Sequence, residues 1–177
     1  MYSRVIIKPI SGSTARLLLQ NLIEKGRFTT VLDCEVFIGK NGLGKEKEGD
    51  KKTPVGEFGI LYAFGVKPNP GTTLNYLNIK DSHYACDDNG PFYNKIVDIS
   101  VENHQCKGEH MVEYVPQYNY GIFLDYNKEC VYPDGSAIFM HCKGERDYTD
   151  GCIGLSEKDM ITMLKNVDSN TRIIIEE

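Results

Sequence analysis

The sequence has no apolar run approaching the roughly 18 residues that a membrane-crossing helix needs. Val5-Ile6-Ile7, near its start, is too short for the core of a secretory signal. The chain therefore reads either as cytoplasmic or as the mature or trimmed form of an exported protein. Positive charge is not in excess: 20 Lys and Arg stand against 25 Asp and Glu, a formal net charge of −5. Contacts to a phosphate backbone want the reverse, so no nucleic-acid partner is expected. There is no Cys-x-x-Cys pair, so neither a zinc knuckle nor a thioredoxin-type redox pair is signalled. Six cysteines are nevertheless present, at 34, 86, 106, 130, 142 and 152. An even count permits disulfides without requiring them. A Cys86–Cys106 bridge is one option, and buried small hydrophobes or isolated thiols are the general reading of most of the others. No internal repeat, low-complexity tract or interdomain linker interrupts the chain.

What is there suits one domain over residues 1–177, with 41% apolar and 25% charged residues, enough for a core. Residues 4–10 read as a short strand. Thr14 to Lys25, with Leu17, Leu18, Leu22 and Ile23, reads as an amphipathic helix stopped by Gly26. Phe28 to Ile38 is strand-like, and Gly39 to Lys52 an exposed turn or hairpin tip. Strands are expected again from about Phe58, over 74–80, Tyr120 to Asp125, Ala137 to Met140 and Ile173 to Ile175. Residues 82–95 and 96–112 read as loops. Ser156 with Asp159 matches a capping box for a helix to about Lys165, with Met160, Met163 and Leu164 on its apolar face. Many short strands with two helices, in no regular alternation, point to a mainly β fold, a partly open sandwich or barrel with appended helices.

The stretch HCKGERDYTDGCIGL, residues 141–155, carries the chemistry. His141 follows a buried-looking run, and Cys152 follows Gly151 in a tight corner. A cysteine on a turn and a histidine at a strand end are the two parts of a thiolate nucleophile. Three features favour the anion: His141 as imidazolium, the N-terminus of the following helix, and peptide N–H groups around Gly151 and Cys152. No single acid or amide stands out to hold the imidazole, which leaves a backbone carbonyl near Cys142. An inert core thiol is the competing account. A metal site from His141, Cys142, Cys152 and Cys130 lacks finger-like spacing.

These motifs, with Thr53-Pro54-x-Gly56-x-Phe58 preceded by Lys47-x-Gly49-Asp50, Tyr93-Asn94 and Tyr120-Gly121, resemble the L,D-transpeptidase (YkuD) catalytic domain over about residues 35–175. The resemblance implies that domain's β-sandwich or open barrel and a catalytic set of Cys152, His141, Gly151 and Cys142. Cys152 matches the nucleophile and His141 its partner. Cys142 stands where glycine or serine usually offers the carbonyl that orients the histidine. Thr149 takes the serine or threonine position of the family's S-H-G-C run. Asp150 replaces a second histidine, and Gly154 replaces an arginine or asparagine.

The resemblance further implies peptidoglycan stem peptides as substrate, carbapenem-type inhibitors as ligands, and work in the cell envelope, outside the cytoplasm. It implies no metal and no organic cofactor, and a monomer is expected. Tyr84, Tyr93, Lys143, Arg146, Thr149, Asp150 and Gly154 are the expected substrate contacts. Cross-linking by acyl transfer is the first expectation. Hydrolysis by a carboxypeptidase or endopeptidase, a non-catalytic wall-binding module, and an intracellular thiol enzyme on another amide or ester are the alternatives.

Overall fold

The computed structural model describes residues 3–177. Its first three strands form an antiparallel meander: β1 (Ser3–Ser11), β2 (Thr14–Glu24) and β3 (Arg27–Phe37). The segment expected to be the first helix is thus a strand. Ala15, Leu17 and Leu19 are fully buried while Arg16 is exposed and Leu18 and Gln20 half-buried, a period of two that the leucine-rich composition hides. Gly26, read as a helix stop, instead supplies the positive φ of +73° for the two-residue turn joining Glu24 to Arg27.

The chain continues through β4 (Gly56–Phe58), β5 (Ile60–Gly65), β6 (Tyr76–Asn78), β7 (His83–Cys86), β8 (Lys95–Asp98) and β9 (Glu109–His110). Then come β10 (Gly121–Leu124), β11 (Phe139–Cys142), β12 (Ile153–Leu155), α1 (Glu157–Asn166) and β13 (Arg172–Ile175). Ten strands pair in the order β4-β13-β1-β2-β3-β12-β11-β10-β5-β6, and β8-β7-β9 form a second, small sheet. The fold is predominantly β with one α-helix among the described residues. Residues 82–112, read as loops, supply the small sheet; its strands run two to four residues, too short to show a period. The helix itself is as expected: Ser156 Oγ accepts from Asp159 N at 3.1 Å, and Met160, Met163 and Leu164 are buried.

Two cores flank the large sheet. Val5, Ile7, Leu17, Val36, Met140, Ile153 and Leu155 join the helix residues on one side. Phe64, Ala85, Met111, Tyr118, Phe123 and Phe139 fill the other, with Cys152 packed against them. The β11–β12 pairing decides which residues face which core. These strands are parallel, with Met140 opposite Ile153 and His141 opposite Gly154. Alternation therefore sends Met140, Cys142, Ile153 and Leu155 to the first core. It leaves Phe139, His141 and Cys152 on the second face.

Candidate active site

The register places Cys152 next to Phe139, two positions back from the residue paired with His141. With a rise of about 3.3 Å per residue and strands about 4.8 Å apart, a cysteine and a histidine eleven positions apart share one face with backbones roughly 8 Å apart. Both line one cavity of about 270 Å³, with Glu109, Tyr118, Arg146, Thr149 and Asp150. A second cavity of about 270 Å³ opens on the other side of Cys152, walled by Lys45, Glu48, Lys51, Asp87 and Ser136. Glu109, Tyr118, Asp150 and Cys152 belong to both.

His141 is 9% exposed. Its Nδ1 lies 2.7 Å from the Cys142 carbonyl oxygen. A carbonyl only accepts, so Nδ1 carries the proton and Nε2 is the basic nitrogen. Burial pushes the imidazole below its ordinary range, and the hydrogen bond to Cys142 only partly opposes this. Tyr118 packs edge-on to the ring at 5.7 Å between centroids. Cys142 contributes its backbone: its own thiol is buried, faces the first core, and donates to Tyr120 O at 3.7 Å.

The Cys152 sulfur rests on backbone. It donates to Ala137 O at 3.1 Å and accepts from Phe139 N at 3.3 Å. Burial pushes the thiol up to about 12; the Phe139 N–H opposes this, and the nearby Glu109 carboxylate adds to it. Both shifts favour the uncharged thiol and imidazole over the thiolate–imidazolium pair expected from the motif. The helix gives the sulfur little help: β12 intervenes, putting the first turn of α1 roughly 16 Å along the chain from Cys152. That turn is also satisfied locally, with Ser156 as cap and Glu157 bound to Lys67 at 2.5 Å and Asn119 at 2.8 Å.

The nucleophile turn is pinned from a distance. Thr53 is fully buried, donates to the Gly151 carbonyl at 2.8 Å, and accepts from Gly39 N at 2.8 Å. Thr149 Oγ1 holds the Cys152 carbonyl at 2.6 Å. Gly151 has φ +138°, and a Cβ there would meet Lys52 O at 2.9 Å, so a side chain is excluded twice over. Replacing Thr53 with valine strands two buried backbone groups. The expected loss is about 1–3 kcal/mol. Thermal melting should show a fall of roughly 2–12 °C for a chain of this size, together with a reduced rate of acylation.

The glycine-rich segment before Thr53 is a cavity wall, not a free hairpin tip. Burial pushes the Asp50 carboxyl up, but the Glu46, Lys47 and Lys52 N–H groups and the Lys45 ammonium outweigh this and hold it well below its usual range. Lys45 and Asp50 form a buried ion pair at 2.9 Å.

Of the expected substrate contacts, Arg146, Thr149 and Asp150 line the cavities. Asp150 bridges Arg146 at 3.2 Å and Lys51 at 3.9 Å. The rest lie elsewhere. Lys143 lies over the Phe37 ring at 3.9 Å and bonds Glu35 O. Tyr84 stacks on His110 at 4.6 Å. Gly154 is buried in its strand. Tyr93, 1% exposed, is scaffold: its hydroxyl donates to Glu48 at 2.6 Å and accepts from Gly135 N at 2.9 Å. Asn94 Oδ1 accepts from Ala137 N at 2.9 Å. Together these hold the turn before β11, where Ala137 takes the sparsely populated φ of +52° and presents its carbonyl to Cys152. Sequence reasoning missed Tyr118 and Glu109, which bond each other between the cavities. A tyrosine and a glutamate in unremarkable surroundings offer no signal of this.

The sequence profile of the L,D-transpeptidase catalytic domain (YkuD) matches residues 11–175. No curated protein matches. Among solved structures, the chain is similar to the helical cell shape determining protein Pgp2 from Campylobacter jejuni, with TM-score 0.53 and 20% identity. The match covers 99% of this chain and 47% of that one, so the chain spans about half its length.

Proposed function

The chain belongs to the L,D-transpeptidase catalytic domain family, and from that premise we propose that it trims peptidoglycan stem peptides through a thioester on Cys152. The family and its cysteine–histidine pairing make it a cysteine- and histidine-dependent, peptidoglycan-modifying enzyme. What we infer beyond this is the bond broken, the residues that act, and the fate of the thioester.

The observation that carries the reading is the fixed tautomer of His141 in the same cavity as Cys152. On substrate arrival the thiol leaves the Ala137 carbonyl and passes its proton to His141 Nε2 as the sulfur attacks the carbonyl ahead of a terminal D-amino acid. The imidazolium then protonates the departing amine. The N–H groups of the Gly151 turn are the candidate donors to the oxyanion. Water, deprotonated by the same Nε2, opens the thioester and regenerates the thiol.

Hydrolysis is favoured by Asp150, which ties Arg146 and Lys51 together across the boundary of the two cavities. A strap at that boundary would narrow the approach for a polymeric acceptor while admitting water. Transfer to an acceptor amine is the second reading, favoured by the presence of two cavities meeting at one sulfur. The Cys86–Cys106 disulfide supports placement in an oxidising compartment outside the cytoplasm. Incubating a labelled stem tetrapeptide with and without a large excess of amine acceptor tests the outcome by mass spectrometry. The trimmed tripeptide is expected in both. A joined product dominating with the acceptor present would replace hydrolysis by transfer.

A further inference from the structure

The small sheet beside the nucleophile carries a cluster that acyl transfer does not use. Cys86 ends β7, and Asp88 follows two residues later. His104 and Cys106 lie one residue apart in the segment before β9. The ligand atoms of Cys86, Asp88 and His104 all lie within 4.8 Å of one another. Cys106 Sγ is 3.9 Å from Asp88 Oδ1 and is bonded to Cys86 Sγ. Gly108 N donates to the Cys106 sulfur at 3.4 Å, a contact that favours a thiolate.

One atom in this cluster is left over. His104 Nε2 is buried and has no hydrogen-bond partner. Leaving a buried polar atom unsatisfied is costly, and the disulfide gives no reason for it. We propose that Cys86, Cys106, Asp88 and His104 form a zinc site when the chain is reduced, in exclusive alternation with the disulfide. Two thiolates, an imidazole and a carboxylate suit tetrahedral zinc and are too soft for magnesium or calcium. Zinc–ligand bonds of about 2.0–2.3 Å set ligand atoms roughly 3.3–3.8 Å apart, so the Asp88 and His104 atoms would draw in modestly while the two sulfurs, bonded to each other in the disulfide, would move apart. One ring nitrogen of His104 is then held by the metal.

The exchange balances with a dithiol as reductant. The protein disulfide takes two electrons and two protons, and the dithiol closes into its own cyclic disulfide. Zinc(II) then displaces the two thiol protons and keeps its oxidation state. Either cross-link, disulfide or metal, ties the end of β7 to the segment leading into β9. Ala85, Asp87 and Glu109 of these segments line the cavities at Cys152, so the nucleophile's wall is fastened in both redox states.

The test uses the whole chain, reduced anaerobically with dithiothreitol, freed of it, and titrated with cobalt(II) and then zinc(II). The reduced chain is expected to bind one cobalt, with thiolate-to-cobalt charge transfer and tetrahedral d–d bands. Zinc should displace it, and the oxidised chain should bind none. His104→Ala, which leaves the disulfide cysteines intact, should weaken the metal at least about tenfold. The double variant Cys86→Ser/Cys106→Ser retains Cys34, Cys130, Cys142 and Cys152 and should lose the charge-transfer band. Cobalt uptake no greater than in that double variant, or a spectrum without thiolate bands, overturns the site. Should reduction unfold the chain, recovery of its far-ultraviolet dichroism on adding zinc supports the site, and failure to recover overturns it.

Discussion

Replacing Cys152 with alanine is expected to abolish the covalent adduct with a carbapenem and to lower stem-peptide turnover by roughly 10⁴-fold or more. Intact-mass spectrometry reads the first effect and product release the second. The side chain is half-buried, and its thiol touches only the Ala137 carbonyl and Phe139 N–H among its hydrogen-bond partners. Alanine should therefore fold, and a melting curve near that of the parent would separate lost chemistry from lost structure. Serine should be nearly as inactive, because its hydroxyl has a far higher pKa than the thiol and is a poorer nucleophile in a site shaped for sulfur. A full adduct in the alanine variant would move the nucleophile elsewhere and end the reading built on Cys152.

Replacing His141 with alanine is expected to cost about 10²–10⁴-fold in rate, the usual worth of a positioned acid–base group. The pH dependence gives the sharper result. Burial lowers the imidazole pKa, so its basic form persists to more acid pH than a free histidine's. The acid limb of kcat/KM should therefore fall with a midpoint below about 6.5, the ordinary histidine value, and the variant should lose that limb. The thiol, pushed up to about 12, should show iodoacetamide alkylation that keeps climbing past pH 9. A preformed thiolate–imidazolium pair would instead level off near neutrality. An alkylation plateau near pH 7 would overturn the neutral resting pair.

The sequence discloses most of the site's chemistry and little of its walls. His141 and Cys152 are legible because a strand, a glycine corner and a capping box frame them. The Cys142 carbonyl is legible because it is the histidine's nearest backbone neighbour. The Thr53 motif stands out too, but its purpose does not: a hydrogen bond across 98 residues leaves no local trace. Leu17, Leu18, Leu22 and Ile23 fit a helix on composition, and only the pairing with β1 and β3 selects the alternate-residue pattern. Tyr93 looks like a substrate wall because exposed aromatics in loops often are; its burial against Glu48 and Gly135 is a tertiary fact. The neutral state of the thiol depends on how much protein surrounds the sulfur, which no motif encodes.

The parallel pairing of β11 with β12 separates two quantities that a motif string fuses. The gap between the histidine and the cysteine reaches the surface at Glu145 to Asp147, so insertions at that exposed tip can lengthen it while Thr149 keeps the nucleophile turn in place. The parity of Gly151-Cys152-Ile153 against its neighbouring strand has no such freedom. One step of slippage would turn the sulfur into the opposite core and bring Ile153 and Leu155, a substrate-blind aliphatic surface, to the cleft. Searches for distant kin should hold that phase constant and let the intervening length float.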